Sequence, residues 1–283
     1  MPAKDPTNSH SETKPIWKNL GPRAISAVAF ASICILPLWF GGYVWAIFVL
    51  ILGLRLVLEW VRMSDAAGGL IAMAIPMVGL TIAIGYLAGG HTLLTFLTLA
   101  VTVIIAGLER VRRGGVLWSA LGTLYILVPT ILMVAIRGDI AGFSDGLKVL
   151  LFIILVVIGA DVGAYFGGSA FKGPKIAPSI SPNKTWSGFI SGVIFGAIVG
   201  LITGHFMGLA KSFSLLLALP VIVFSVVGDF LESGIKRHFN VKDTGKLMPG
   251  HGGLLDRLDG LMLALIASAA VIYLVPSLWP SLL

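Results

Sequence analysis

Between Ser233 and Asp259 the chain reads SGIKRHFNVKDTGKLMPGHGGLLDRLD. Lys236, Arg237, Lys242, Lys246 and Arg257 stand there with Asp243, Asp256 and Asp259, and His251 lies among several glycines. Basic side chains bind phosphate oxygens, carboxylates hold divalent cations, and glycines let backbone N–H groups approach an anion. Ionised groups at the edge of hydrocarbon cost kilocalories, so this density of charge in an otherwise apolar chain points to phosphoryl-group chemistry at a membrane surface. The spacing adds order. Asp229, Glu232, Ser233 and Lys236 or Arg237 follow at steps of three and four, which puts them on one helix face. Asp256 and Asp259 are three apart at the head of the last apolar run, and a helix N-terminus favours carboxylates and also holds anions. Mg²⁺ suits such a place, because it takes one or two carboxylates together with substrate phosphates. The plainer reading is a charged loop with a Gly-rich turn; the acids within the flanking apolar runs weigh against it.

A second polar loop carries Gly167, Gly168, Ser169 and Lys172, then Ser179-Ile180-Ser181-Pro182-Asn183-Lys184-Thr185. It offers a turn, hydroxyls and an ammonium, a set able to hold a triphosphate tail or a lipid phosphate; alone it reads equally as a plain loop. Asp161 and Tyr165 precede it at i, i+4. Asp161 is either a partner for a loop lysine or a direct site group, and its residue type leaves both open.

The elements that must position these groups are membrane helices. Of the 283 residues 57% are hydrophobic and 12% charged, about half the ~25% usual in soluble domains. These charges are too few to cover a water-facing surface, so the expected class is an all-α, polytopic integral membrane protein. Runs of about 20 apolar residues fall at roughly nine places, near 23–40, 42–61, 66–88, 91–109, 115–136, 147–168, 187–208, 213–235 and 254–277. With the N-terminus inside, 17 of the 20 Lys and Arg residues fall on the inside and only Arg137, Lys148 and Lys211 outside, as the positive-inside rule requires of nine spans with the C-terminus outside. Arg55, within a span, is the softest assignment. Both polar loops fall on the inside. Residues 1–15 read as a disordered cytoplasmic tail rather than a cleavable signal peptide. Residues 16–146 supply the N-terminal helices, and 147–283 the C-terminal helices and loops of the same domain. The net charge of +7 follows membrane topology and does not call for nucleic acid. The single cysteine, Cys34, excludes an internal disulfide and a cysteine-based zinc site.

The block Ser233-x-Ile235-Lys236-Arg237, Lys242-Asp243-x-Gly245 and Pro249-x-His251-Gly252-Gly253-Leu254-x-Asp256-Arg257-Leu258-Asp259 resembles the signature of the phosphatidate cytidylyltransferases, or CDP-diacylglycerol synthases. Asp161-x-x-Ala164-Tyr165, Ser181-Pro182-x-Lys184-Thr185 and Gly228-Asp229 resemble that family's other motifs, so the likeness spans the C-terminal half. The N-terminal half is similar only as a run of membrane helices. Ser187 stands where the family usually has Glu, and Met248 where Leu, Ile or Phe is commoner. The resemblance implies CTP and phosphatidic acid as substrates, CDP-diacylglycerol and pyrophosphate as products, and Mg²⁺ with room for a second cation. It implies Asp229, Asp256 and Asp259 as metal ligands. Lys236, Arg237, Lys242, Asp243 and Arg257 would form the catalytic, phosphate-contacting group. His251 would either protonate or hydrogen-bond a phosphate oxygen or simply order the Gly turn. Ser181, Lys184, Thr185, Ser233, Gly252, Gly253, Asp161 and Tyr165 would bind substrate. A bacterial inner membrane, a site on its cytoplasmic side and a homodimer through the N-terminal spans belong to the same expectation.

Three other readings compete. A CTP-dependent lipid kinase would release CDP instead of pyrophosphate. A CDP-alcohol phosphotransferase shows a different spacing of acids after Asp-Gly, and Asp259-Gly260 is followed here by an apolar run. A secondary transporter would use Asp161 and Asp229 for ion coupling, but transporters often carry internal repeats, and none is visible here.

Overall fold

The structure is a computed structural model, and it describes residues 32–138, 142, 144–245, 247 and 252–275. The expected tail (1–15), Lys246 and His251 lie outside the described residues. Nine helices are present among those described. Helix α1 covers residues 32–40. It is followed by α2 (Gly42–Ser64), α3 (Leu70–Ala88), α4 (Thr92–Glu109), α5 (Val116–Arg137), α6 (Asp145–Phe171), α7 (Trp186–Phe206), α8 (Lys211–His238) and α9 (Leu255–Leu274). Helices α2 to α9 are each long and apolar enough to cross a membrane, with mean hydropathy from 1.7 to 2.5. They match the second to ninth expected spans, and residues 23–31 of the first lie outside the described residues.

Short connections make the helices alternate in direction. One end of the bundle gathers the α2–α3, α4–α5, α6–α7 and α8–α9 connections, which carry most of the charge. Side-chain contacts tie these connections together: Arg110 and Arg113 meet Asp65, the latter at 3.1 Å, Arg110 also donates to the Ser64 carbonyl, and Trp118 stacks on His238 with ring centroids 4.5 Å apart. At the opposite end Arg137, 1% exposed, donates to the carbonyls of Leu38 and Trp39 and to the Ser144 hydroxyl. Those acceptors satisfy the guanidinium, and they fix the turn between α1 and α2.

The core lies among α2, α5, α6, α8 and α9, around Val49, Leu56, Phe152, Val156, Leu217, Ile222 and Leu265. Large apolar side chains such as Leu70, Phe96, Ile104 and Phe206 face outward, as a hydrocarbon surround favours. Helix α7 packs differently. Its buried residues are Gly188, Gly192, Gly196, Gly200 and Gly204, one per turn. A Cβ on Gly192 would stand 2.9 Å from the Ala160 carbonyl oxygen, and one on Gly196 would stand 2.7 Å from Ile222. The stripe therefore lets α7 lie close against both α6 and α8, the small-residue packing typical of membrane helices.

The α6–α7 connection, expected as a loop, contains a small antiparallel hairpin. Strand β1 (Lys175–Ala177) pairs with β2 (Ser181–Thr185), Lys175 opposite Thr185 and Ala177 opposite Ser181. Thr185 ends the hairpin and starts the next helix: its hydroxyl accepts the Gly188 N–H at 3.0 Å as N-cap of α7.

Candidate active site

Helices α8 and α9 cross where each has a glycine. A Cβ on Gly228 would stand 2.5 Å from the Asp259 carbonyl oxygen, and one on Gly260 would stand 2.9 Å from Asp229 Oδ1. The two glycines thus bring the Asp229 and Asp259 carboxylates into each other's electrostatic range. The Asp259 carboxylate also accepts the Gly260 N–H at 2.9 Å.

From this crossing the polar groups extend in two directions. Toward the hairpin, Lys184 reaches across from β2. Its Nζ lies 2.7 Å from Asp229 Oδ2 and 4.6 Å from the centre of the Phe230 ring. The pair forms part of the wall of a cavity of about 610 Å³ that is also lined by Asp161, Tyr165, Lys175, Ser181 and Thr185. The structure therefore brings Asp161, Tyr165, Ser181, Lys184, Thr185 and Asp229 to one opening. Tyr165 is largely exposed there.

Toward the α8–α9 connection, Lys236 stands between two acids. Its Nζ is 2.7 Å from Glu232 Oε2 and 2.9 Å from Asp256 Oδ1. Glu232 and Lys236 are one helical turn apart, so α8 presents both to the head of α9. Asp256 also accepts the backbone N–H groups of Thr244 and Gly253, at 3.0 and 2.7 Å to Oδ2. Gly252 has φ +86°, and a Cβ there would stand 2.6 Å from Asp256 Oδ2. Thr244, Gly252 and Gly253 thus close around the Asp256 carboxylate. Ser233 is half-buried on α8, while Arg237, Lys242, Asp243 and Arg257 are exposed at the same end of the bundle.

Ser187, the departure from the usual acid, does local work. Its hydroxyl accepts the Gly173 N–H at 3.1 Å and shares a hydrogen bond of 3.1 Å with Thr185. It fastens the entry of the hairpin to the first turn of α7.

Among the described residues no group of three or more His, Cys, Asp or Glu side chains is arranged to hold a metal ion by itself. Asp256 already accepts an ammonium and two N–H groups. Asp229 lines the cavity with one oxygen on Lys184, and Asp259 lies within its electrostatic range; their hard carboxylate oxygens are of the kind taken by an ion such as Mg²⁺ that draws its remaining ligands from phosphates and water.

Two acids were not singled out from sequence as site residues. Glu232 lies on the face formed by Asp229, Ser233 and Lys236, and its steps of three and four were the signal. Glu59 of α2 accepts the Leu255 N–H at 2.9 Å, and Arg55 lies 3.2 Å from its other oxygen. Its signal was an acid and a base four apart within an apolar run, a costly arrangement in hydrocarbon.

Fold and site together define a polytopic membrane protein that gathers carboxylates, lysines and a cavity at one end of a helix bundle, a site suited to phosphate groups. Residues 22–275 match the model of the cytidylyltransferase family, and the chain belongs to that family; it is a membrane-embedded nucleotidyltransferase. The phosphatidate cytidylyltransferase of Brucella suis biovar 1 is 34% identical over 270 residues, which cover 90% of this chain and 93% of that protein. The phosphatidate cytidylyltransferase of Pseudomonas aeruginosa is 35% identical over 263 residues, 86% of this chain and 94% of that protein. That of Staphylococcus epidermidis is 35% identical over 124 residues, 43% of this chain and 48% of that protein.

Proposed function

We propose that this enzyme transfers CMP from CTP to phosphatidic acid, giving CDP-diacylglycerol and pyrophosphate, at the cytoplasmic face of a bacterial inner membrane. The observation that carries the reading is the Lys184–Asp229 pair. It stands in the wall of a 610 Å³ cavity, one and two helical turns from Glu232 and Lys236 on the same helix.

The phosphate of the lipid is a monoester whose second pKa is about 6, so near neutral pH it is an anion and needs no strong general base. Its oxygen forms a bond to the α-phosphorus of CTP. The bond from that phosphorus to the bridging oxygen breaks, and pyrophosphate leaves with the electron pair. The barrier is chiefly the meeting of two anions. Lys184 and Lys236 bring fixed positive charge to where phosphate oxygens converge, and Arg237, Lys242 and Arg257 supply more at the exposed rim. Asp229 and Asp259 would hold Mg²⁺, which would supply Lewis-acid charge for the phosphates. Asp256 orients Lys236 and holds the Thr244 and Gly253 N–H groups. Asp161, Tyr165, Ser181 and Thr185 line the side on which the second substrate enters.

The test uses purified protein in detergent with phosphatidic acid, Mg²⁺ and CTP labelled at the α-phosphate. Label should enter lipid with one pyrophosphate released per turnover, and Asp229→Asn or Asp259→Asn should lower kcat on the order of 10²-fold. Release of labelled CDP, with no label reaching lipid, would make the enzyme a lipid kinase and overturn the reading.

A further inference from the structure

Helix α2 lies in the half of the chain where the sequence shows only apolar helices, yet it sends one carboxylate into the segment that carries the site. Glu59 is 1% exposed. Its Oε2 accepts the Leu255 N–H at 2.9 Å and the Thr244 hydroxyl at 3.4 Å. Its Oε1 lies 3.2 Å from the Arg55 guanidinium one turn earlier. Two glycines close around it: a Cβ on Gly245 would stand 2.7 Å from Oε1, and one on Gly253 would stand 2.6 Å from Oε2.

Each contact has a physical consequence. Leu255 is the first residue of α9. Its N–H has no partner within the helix, and a carboxylate at a helix N-terminus is favourable. Thr244 is held twice, by its hydroxyl on Glu59 and by its N–H on Asp256. Asp256 in turn holds Lys236. A chain of direct contacts therefore runs from α2 through Thr244 and the head of α9 to the Asp256–Lys236 pair. The bundle does not depend on this chain for its packing, because α2 contributes Val49, Leu56 and Val57 to the core independently.

We propose that Glu59 is a positioning residue. It latches Thr244 and Leu255 to α2, and so fixes Asp256, and through it Lys236, where the substrate phosphates are met. The kinetic half of the claim rests on the CMP-transfer reading; the structural half does not.

The experiment measures CMP transfer and peptide-resolved hydrogen exchange on the full-length protein in detergent. Glu59→Ala should lower kcat at least tenfold while KM for CTP changes less than threefold. Exchange should rise in peptides covering 243–256 and stay unchanged in peptides covering 147–170 of α6. Glu59→Gln keeps an acceptor oxygen for Leu255 and Thr244, so it should recover kcat to within fivefold of wild type. Glu109→Ala removes a different i, i+4 ion pair, the one to Arg113, and should leave kcat within twofold. A Glu59→Ala variant with kcat within twofold of wild type, or with exchange raised equally in α6, would overturn the proposal. If Glu59→Ala does not fold, Thr244→Val removes only the hydroxyl contact and decides the matter. A local rise in exchange with kcat reduced about threefold supports the latch, and no change in either overturns it. If wild type transfers no CMP while Glu59→Ala still loosens 243–256, the latch stands and the cytidylyltransferase reading falls.

Discussion

Two lysines of the site occupy different environments, so their loss should have different effects. Lys236 is 14% exposed between Glu232 and Asp256, whose side chains are 2% and 6% exposed. Removing the cation from a buried group of this kind leaves uncompensated carboxylates, at a cost of about 3 kcal/mol. Lys184 and Asp229 are 28% and 24% exposed, and a partly solvated pair contributes only about 0–1 kcal/mol. Lys236→Met should therefore lower the thermal unfolding midpoint clearly, whereas Lys184→Met should leave it nearly unchanged. Both should lower kcat, Lys184→Met on the order of 10²-fold, since a fixed charge at the phosphates acts on the transition state. Unfolding followed in detergent beside the CMP-transfer assay checks both. A large loss of stability with Lys184→Met would mean that the pair serves the fold first.

Among the elements, two glycine contacts predict different outcomes when a side chain is added. Gly196 of α7 faces the flexible end of Ile222. Gly196→Val overfills the α7–α8 contact, which costs about 1–3 kcal/mol and acts mainly on stability. Gly228 faces the backbone of Asp259, which cannot turn aside. Gly228→Ala should push α8 from α9 at the point where Asp229 and Asp259 meet, so kcat should fall at least tenfold alongside the loss of stability, a fall that Gly196→Val should not show. The ratio of the two effects in each variant is the measurement. The same elements show what was legible in the sequence. The long helices declared themselves because a membrane span needs about 20 apolar residues, and Asp229, Lys236, Asp256 and Lys184 stood out as charges against them. The hairpin did not, since Ser181-Pro182-Asn183-Lys184-Thr185 lacks the alternation of apolar residues that marks a strand. The cap formed by Thr185 was readable as a hydroxyl residue just before an apolar run, but the sequence assigned that hydroxyl to substrate. Glu59 escaped because its partners Thr244 and Leu255 are 185 and 196 residues away. Only the folded bundle brings them together.

For the whole molecule the question is which side of the membrane the site faces. CTP is soluble and phosphatidic acid lies in the bilayer, so a site that meets both must stand at an interface on the side where CTP is made. The alternating helices place the α2–α3, α4–α5, α6–α7 and α8–α9 connections at one end, and these hold most of the Lys and Arg residues between the described spans. Positively charged connections stay in the cytoplasm, so the proposed function expects the Lys184–Asp229 and Lys236–Asp256 pairs on that side. The α3–α4 turn, with exposed His91, belongs to the opposite end. In a Cys34→Ser background, which removes the single native thiol, a cysteine introduced by His91→Cys should react with a membrane-impermeant maleimide in intact spheroplasts. A cysteine introduced by Lys242→Cys, exposed beside the site, should react only after the membrane is opened. The reverse pattern would turn the molecule over and leave its lysines on the side without CTP. The orientation and the proposed activity would then fall together, although the geometry of the site would be unchanged.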